Sequence, residues 1–443
     1  MSLKRLVKIH LEHSRVFGLD LDFVPGVHRF ADTIHKTGGG SETFFQMNPF
    51  LNDPVVVLSA VRTPIGNFMG ELAGLSAPEL GAACIREAVG KVSLEAHSIE
   101  ELMFGCVLTA GVGQAPARQA ALAAGLARST ACTTVNKVCG SGMRAVMALH
   151  DTLAIGQTHL ALAGGMESMS NAPHLLPQAR AGYRFGHASF LDHMLRDGLE
   201  DAYDRGRTMG QFGEDCAREY GFGRAEQDEF AIESITRARK ASESGAFKDE
   251  IVQIKAVSRK GSSIVESDEG PRTVNIEKIP NLKPAFATDG TVTAASSSSI
   301  SDGAAALVLC RQSMADTLGI APLARIVGHC SFAQEPSRFA TAPIGAINKL
   351  LQLNNWRVAD VDLWEINEAF AVVVMAAMQQ LRIDHRQINI HGGACAIGHP
   401  IGASGARIIV TLVHALRRLG VRRGIASLCI GGGEATAIGL EIV

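Results

Sequence analysis

The chain repeats itself. Leu363-Trp364 stands 261 residues after Leu102-Met103, each in an apolar stretch behind an acidic turn. Ser404-Gly405-Ala406-Arg407 stands 263 residues after Ser141-Gly142-Met143-Arg144, and Gly431-Gly432-Gly433-Glu434 stands 267 after Gly164-Gly165-Met166-Glu167. Three matches in one order, with a slowly drifting offset, point to an internal duplication. The expected architecture is therefore two similar halves packed pseudo-symmetrically.

The pattern within each half says what kind of unit it is. Pro54–Ala60 reads as a short buried strand, Arg62–Gly66 as a turn, and Ala77–Lys91 as a helix with Leu80, Cys84 and Ala88 in register. Leu102–Val107 is a second strand, Gln114–Ala124 an alanine-rich helix, and Leu160–Ala163 a further strand. This alternation predicts α/β with a mostly parallel sheet. Residues 171–289 differ: they are rich in charge, hold Pro173, Pro177 and a helix over 224–246 with Phe230, Ile235 and Ala238 inward, and read as an inserted cap or loop domain. The expected organisation is 47–170 plus 290–318 as the first half, 171–289 as the insertion and 319–443 as the second half.

Residues 1–46 are expected to form an extension outside this fold. They end in the flexible joint Lys36–Ser41, and Asp20, Asp22 and Asp32 argue against a mitochondrial transit peptide. Four histidines there match no metal-ligand spacing. With a net charge of −2 there is no basic face for nucleic acid. No apolar run approaches the roughly 20 residues of a membrane helix. The nine cysteines are scattered without a C-x-x-C, which suggests free thiols in a reducing compartment, here the cytoplasm.

Asn136-Lys137-Val138-Cys139-Gly140-Ser141-Gly142 carries the strongest chemical signal. The glycines fit a sharp strand-to-helix turn and not a helix interior. Such a turn would set the Cys139 sulfur at a helix N-terminus, where free N–H groups and the dipole favour an anion. The expectation is a thiol of lowered pKa that acts as a nucleophile. The alternative is a buried structural thiol.

Three more clusters stand out. His391–Pro400 contains His391, Cys395 and His399 at four-residue spacing, but Gly392, Gly393, Gly398 and Pro400 argue against the helix that would align them on a metal. A histidine on a rigid Gly-Pro turn suits a general base better; the alternative is a histidine bonded to loop backbone. Ser427–Gly433 delivers Cys429 from a strand into a glycine turn whose N–H groups could hold an oxyanion, or could form only a tight turn. Glu365–Ala371 places Asn367 just before an apolar helix, as an active polar group or as an N-cap. Neither a phosphate-binding loop nor a dinucleotide fingerprint is present.

With these stretches in view, the chain resembles the thiolase family over about residues 53–443. Asn-Lys-Val-Cys-Gly-Ser-Gly around Cys139, Asn-Glu-Ala-Phe at 367–370, Gly-Gly-Ala-Cys-Ala-Ile-Gly-His-Pro ending at Pro400, and Cys-Ile-Gly-Gly-Gly from Cys429 carry the match. The resemblance implies a thiolase-like α/β fold of two βαβαβαββ halves with an inserted loop domain. It implies an acyl-cysteine on Cys139, activated by His399. Cys429 would be the acid/base at the α-carbon of the second acyl-CoA. Asn367 would place a water in one oxyanion hole, and the N–H groups of Cys139 and Gly431 would form the other. Ser298 would contact coenzyme A, and Met209, Ala369 and Phe370 would line the acyl pocket. Coenzyme A and acyl-CoA thioesters would be substrates, with no tightly bound cofactor and no metal. Dimers or tetramers are common in the family.

The implied reaction is condensation of two acetyl-CoA to acetoacetyl-CoA, or its thiolytic reverse. A degradative 3-ketoacyl-CoA thiolase of longer chain length is the alternative. A ketoacyl synthase would leave Cys429 unexplained, and a silent CoA-binding scaffold would not need Cys139, His399 and Cys429 together. The chain departs from the family at His391 (often Asn), Glu434 (often Gln), Ser296 and Ser301 (usually Asn) and Thr208 (often His in biosynthetic members). Thr208 bears on acyl length.

Overall fold

The structure, a computed structural model, describes residues 53–258 and 261–443. The expected extension over 1–46 lies outside the described residues.

Among the described residues the main sheet has ten strands, nine of them on one continuous path: β1 (Val55–Arg62), β2 (Glu101–Gly105), β3 (Ala131–Val135), β4 (Leu160–Ser168), β5 (Ser301–Arg311), β6 (Ala324–Ala333), β7 (Leu363–Ile366), β8 (Arg423–Ile430) and β9 (Glu434–Glu441). Their spatial order is β7-β8-β9-β6-β1-β5-β4-β2-β3, and the two-residue strand Gly66–Asn67 also pairs with β5. Reading outward from β1 and β6 gives the same sequence of partners on both sides, so the halves meet where Val56 and Val57 pair with Arg325 and Ala324. The expected duplication is thus present in the topology. The second half departs at one place. Its counterpart of β3 shrinks to a single bridge between Trp364 and Ile388.

The expectation of a mostly parallel sheet is corrected. Only β2–β3, β2–β4 and β7–β8 pair in parallel, while β1, β4, β5, β6, β8 and β9 make antiparallel pairs. Tight returns cause this. Glu434 follows Ile430 after three glycines, too short a link for the crossover that parallel strands require. The strand β3 was not foreseen, because Ala131–Val135 is short and has no fully buried face.

The main helices are α1 (Ala77–Lys91), α2 (Pro116–Ala124), α3 (Ser141–Ala154), α4 (Met209–Tyr220), α5 (Arg224–Glu243), α6 (Ala342–Leu353), α7 (Ala371–Leu381) and α8 (Ser404–Leu419). α2 starts two residues later than expected because Pro116 takes its first turn, where a missing N–H costs nothing. α5 stops at Glu243, just before Gly245.

Strand alternation builds the core. Along β5, Ala304, Ala306 and Val308 face the α1/α2 side, while Ala305, Leu307 and Leu309 face α3 and α8. A third core, with Ile347, Leu350, Trp364, Ile366 and Val374, lies between the second half and α6/α7. The order is helices, sheet, the α3/α8 pair, sheet, helices. Both faces of β1, β4, β5, β7, β8 and β9 are therefore buried, and these strands read as near-continuous apolar runs, whereas β3 and β6 are partly exposed.

The motif that marks the duplication is where the two halves touch. A Cβ on Gly142 would stand 2.8 Å from the Ala406 backbone nitrogen, and one on Gly405 would stand 2.4 Å from that of Met143. The two Ser-Gly-x-Arg starts thus cross with no space for a side chain, and the N-termini of α3 and α8 converge. The insertion is tied to β1 by Arg62, fully buried, which donates to Glu250 Oε1 at 2.6 Å and to both Asp268 carboxylate oxygens at 2.7 and 2.9 Å.

Candidate active site

The site forms where strands and helices of both halves end together. Cys139 lies at the sharp turn between β3 and α3. Val138 is held at φ +45, costly for a β-branched residue, and the turn is braced by Ser141 Oγ–H donating to the Val138 carbonyl at 2.6 Å. Lys137 N–H donates to Ser141 Oγ at 2.8 Å, and Val138 N–H to Asn136 Oδ1 at 2.9 Å. The turn seats against the Cys429 loop. A Cβ on Gly140 would meet Ile430 Cδ1 at 2.4 Å, and Lys137 forms an ion pair with Glu434.

The backbone N–H groups of Gly431 and of Cys139 itself point at the Cys139 sulfur. The expected lowering of this thiol's pKa is nevertheless corrected. Burial pushes the Cys139 thiol up to about 11, and the two N–H groups offset only part of that. Cys429, which is buried, is raised well above the ordinary range, first by burial and then by the neighbouring Cys139. Both sulfurs rest as thiols, so the first needs a base.

His399 has the form of one. Gly398, at φ +110, passes so close to Ser301 that a Cβ would lie 2.2 Å from its hydroxyl. His399 N–H donates to the Ser299 carbonyl at 3.1 Å. Its Nδ1 lies 2.5 Å from Ser404 Oγ, whose own hydroxyl donates to the Pro400 carbonyl at 3.0 Å. The Ser404 oxygen is left to accept, so the network assigns the proton to Nδ1 and a lone pair to Nε2. Nε2 is buried and without a partner among the described residues. Burial, helped by the charge of Arg407, pushes the His399 pKa down to about 3. The imidazole is neutral at pH 7, with its Nε2 lone pair free.

Asn367 does not cap the helix behind it. The N-cap of α7 is Phe370. Asn367 Oδ1 instead accepts from Arg407 Nη2 at 3.3 Å, while Arg407 Nη1 donates to Glu365 Oε2 at 3.4 Å. This orients the amide and leaves Nδ2, buried and unpartnered among the described residues, as a free donor. Glu365 is raised to about 8, by burial before anything else.

The remaining expected residues cluster beside Cys429. Ser298 N–H donates to the Ala369 carbonyl at 3.0 Å, and Ala371 N–H to the Ser296 carbonyl at 2.8 Å, so the 296–298 loop lies along 369–371. Cys429, Ala369, Phe370, Phe212 and Phe339 share one apolar cluster, with Met209 and Phe286 packed on it. The Phe286 and Phe370 rings meet edge-on at 5.8 Å. Thr208 is the N-cap of α4 and donates its N–H to Gln211 Oε1 at 2.8 Å.

The His391–His399 run also needs a correction. One helical turn, Ala394–Ile397, does form between Gly393 and Gly398. Its length of four residues leaves both histidines outside. His391 stacks edge-on against Phe247 at 5.7 Å, Cys395 Sγ contacts the Glu368 carbonyl at 3.7 Å, and His399 turns to Ser404.

Sequence reasoning gave no role to Ser404, Arg407, Glu167 or Glu368. Glu167 collects the N–H groups of Val107, Leu108 and Gly402 at 2.9–3.1 Å, and Glu368 accepts from Ser234 Oγ, Asn389 Nδ2 and Cys395 N–H at 2.7–3.0 Å. Each joins loops distant in sequence. The repeat already held a signal for three of them, since Ser404 and Arg407 belong to the duplicated Ser-Gly-x-Arg and Glu167 to the duplicated Gly-Gly-x-Glu.

Comparisons with known proteins agree with this fold. Residues 55–313 match the family model described as the thiolase N-terminal domain, and 320–442 the thiolase C-terminal domain. A probable acetyl-CoA acetyltransferase of Dictyostelium discoideum is 47% identical over 390 residues, covering 88% of this chain and 94% of its own. An acetyl-CoA acetyltransferase of Schizosaccharomyces pombe is 45% identical, covering 89% of this chain and 100% of its own. The crystal structure of a thiolase from Ascaris suum in complex with coenzyme A superposes with a TM-score of 0.83 at 41% identity, covering 88% of this chain and all of that one. With its duplicated α/β fold matched by the two family models over 55–313 and 320–442, the chain belongs to the thiolase family.

Proposed function

We propose that the protein is an acetyl-CoA C-acetyltransferase, condensing two acetyl-CoA to acetoacetyl-CoA and free coenzyme A, or running the thiolytic reverse. The observation that supports this reading is the unpartnered His399 Nε2, its tautomer set by Ser404 at the start of α8, the helix whose N-terminus crosses that of the Cys139 helix. As Cys139 Sγ attacks the thioester carbonyl, its proton passes to His399 Nε2. Asn367 Nδ2, through a water, and His399 hold the oxygen that becomes negative. The coenzyme A sulfur leaves with a proton from Cys429, whose thiolate then removes one from the α-carbon of the second acetyl-CoA. The resulting carbanion attacks the acetyl group on Cys139. The new carbonyl oxygen develops its charge toward the N–H groups of Cys139 and Gly431, and Cys139 departs as thiolate and takes back the proton.

Ser298 is assigned to coenzyme A, and Met209, Ala369 and Phe370 to the acyl pocket. The apolar cluster that Cys429 shares with Phe212, Phe339, Phe370, Phe286 and Met209 favours a short acyl group. The names of the two curated relatives support the same choice. Coenzyme A enters as substrate, with no tightly held cofactor. We assign the halves to 47–170 plus 290–318 and to 319–443, with 171–289 as the loop domain. A cytoplasmic homo-oligomer, dimer or tetramer, serving fatty acid metabolism is the accompanying proposal. Among the described residues no helix is long and apolar enough to cross a membrane.

The test is CoA-dependent cleavage of acetoacetyl-CoA and of a longer 3-ketoacyl-CoA, side by side, in the wild type and Cys139→Ala. Activity confined to the short substrate and lost in the variant supports the proposal. Better turnover of the long substrate moves the reading to a degradative thiolase, and cleavage surviving in Cys139→Ala removes the nucleophile.

A further inference from the structure

Away from the active site, three side chains from two elements converge on one point. His150 and Asp151 lie near the C-terminal end of α3, the helix that begins beside Cys139, and His329 lies on β6 of the other half. His329 Nε2 is 3.1 Å from His150 Nδ1 and 3.0 Å from Asp151 Oδ1, and the last two atoms are 3.4 Å apart. The imidazole rings stand edge to face with centroids 4.8 Å apart. Two ring nitrogens this close cannot both present lone pairs without repulsion; a shared proton or a cation must lie between them.

We propose that His150, Asp151 and His329 form a binding site for a borderline divalent transition cation such as Zn²⁺. Donor atoms held about 2.0–2.2 Å from such an ion stand roughly 2.8–3.6 Å from one another between right-angled and tetrahedral geometry, a range that contains all three separations here. Two imidazoles and one carboxylate select a transition ion over Mg²⁺ or Ca²⁺, which take oxygen ligands. The histidines are largely buried, at 20% and 13% exposure, while Asp151 is 56% exposed. The ion thus enters from the Asp151 side and keeps water on its remaining positions. The charge of Arg144 acts on His329 and opposes a cation, so the affinity is expected to be moderate. A bound ion clamps α3 of the first half to β6 of the second, on the helix that presents Cys139 at its other end.

The protein also carries nine cysteines that could take up metal, so the probe is Co²⁺ titrated into the full reduced chain and followed by its visible spectrum. The expected result is one equivalent giving d–d bands without the near-ultraviolet charge transfer of a cobalt–thiolate bond. Affinity is expected to fall at least tenfold in His329→Gln, in His150→Gln and in the surface variant Asp151→Asn, and to be unchanged in Cys139→Ala. Zn²⁺ is expected to displace the cobalt and to raise the unfolding temperature of the wild type but not of Asp151→Asn. A spectrum dominated by thiolate bands, or affinity unchanged in Asp151→Asn and either histidine variant, would mean that the trio is only a hydrogen-bonded cluster. Because the readout is metal binding, its failure leaves the acyltransferase reading untouched, and the reverse also holds.

Discussion

Replacing Ser404 by alanine isolates the feature on which the mechanism depends, the tautomer of His399. In the wild type the Ser404 hydroxyl donates to the Pro400 carbonyl, so its oxygen accepts from Nδ1–H and the lone pair sits on Nε2. Without the hydroxyl, the buried ring has two choices. It leaves Nδ1–H unpaired, at about 1–3 kcal/mol, or it moves the proton to Nε2 and can no longer accept one from Cys139. Either way the competent state is penalised by that amount. At about 1.36 kcal/mol per tenfold in rate, kcat for acetoacetyl-CoA thiolysis should fall roughly 5- to 150-fold. KM should hold, since Ser404 is fully buried behind the ring. Ser404→Thr, which restores a hydroxyl, should recover most of the loss. The assay is steady-state kinetics of the three proteins, with thermal unfolding of each to show that it is folded. A folded Ser404→Ala enzyme with kcat within twofold of wild type would refute the assignment, and an equal loss in a well-folded Ser404→Thr would put the defect in packing.

Three other outcomes are expected. The Cys139 thiol is pushed up to about 11, so only about one part in 10⁴ is thiolate at pH 7; alkylation of the free enzyme by iodoacetamide should rise nearly tenfold per pH unit from 7 to 9, and a plateau near pH 7 would show a low thiol pKa instead. Asn367→Ala removes the free Nδ2 donor and should lower kcat by roughly 10²–10³, and, because it also leaves the buried Arg407 Nη2 without its acceptor, should lower stability by about 1–3 kcal/mol; a loss of kcat under fivefold in the folded variant would take Asn367 out of the oxyanion site. Arg62→Met strands the buried Glu250 and Asp268 carboxylates and should cost about 3–5 kcal/mol in urea unfolding, a reading overturned by a cost below about 1 kcal/mol.

Much of this was legible in the chain, and the reasons are local. α1 runs over the expected Ala77–Lys91 because its apolar spacing and its Ser76/Glu79 capping box sit in one short stretch. The Cys139 turn was legible because Gly140, Gly142 and the small Ser141 leave the backbone few alternatives. The duplication was legible because the two Ser-Gly-x-Arg starts must both be small to cross. By contrast β3 gave no signal, its exposed alternation resembling a loop, and the antiparallel majority of the sheet was hidden because strand direction depends on which strands become neighbours.

The sequence by itself determined the repeat and the α/β class, and marked the turns and Cys139, His399, Cys429 and Asn367 as candidates, since each turn and motif is written in residues a few places apart. Only the tertiary structure decided their chemical states. Burial raised both thiols where a helix N-terminus alone would have lowered one. Ser404 chose the nitrogen of His399 that carries the proton, and Arg407 chose the face of Asn367 that remains free. Desolvation and hydrogen-bond partnership are set by atoms brought together from across the fold, so a short motif cannot encode them.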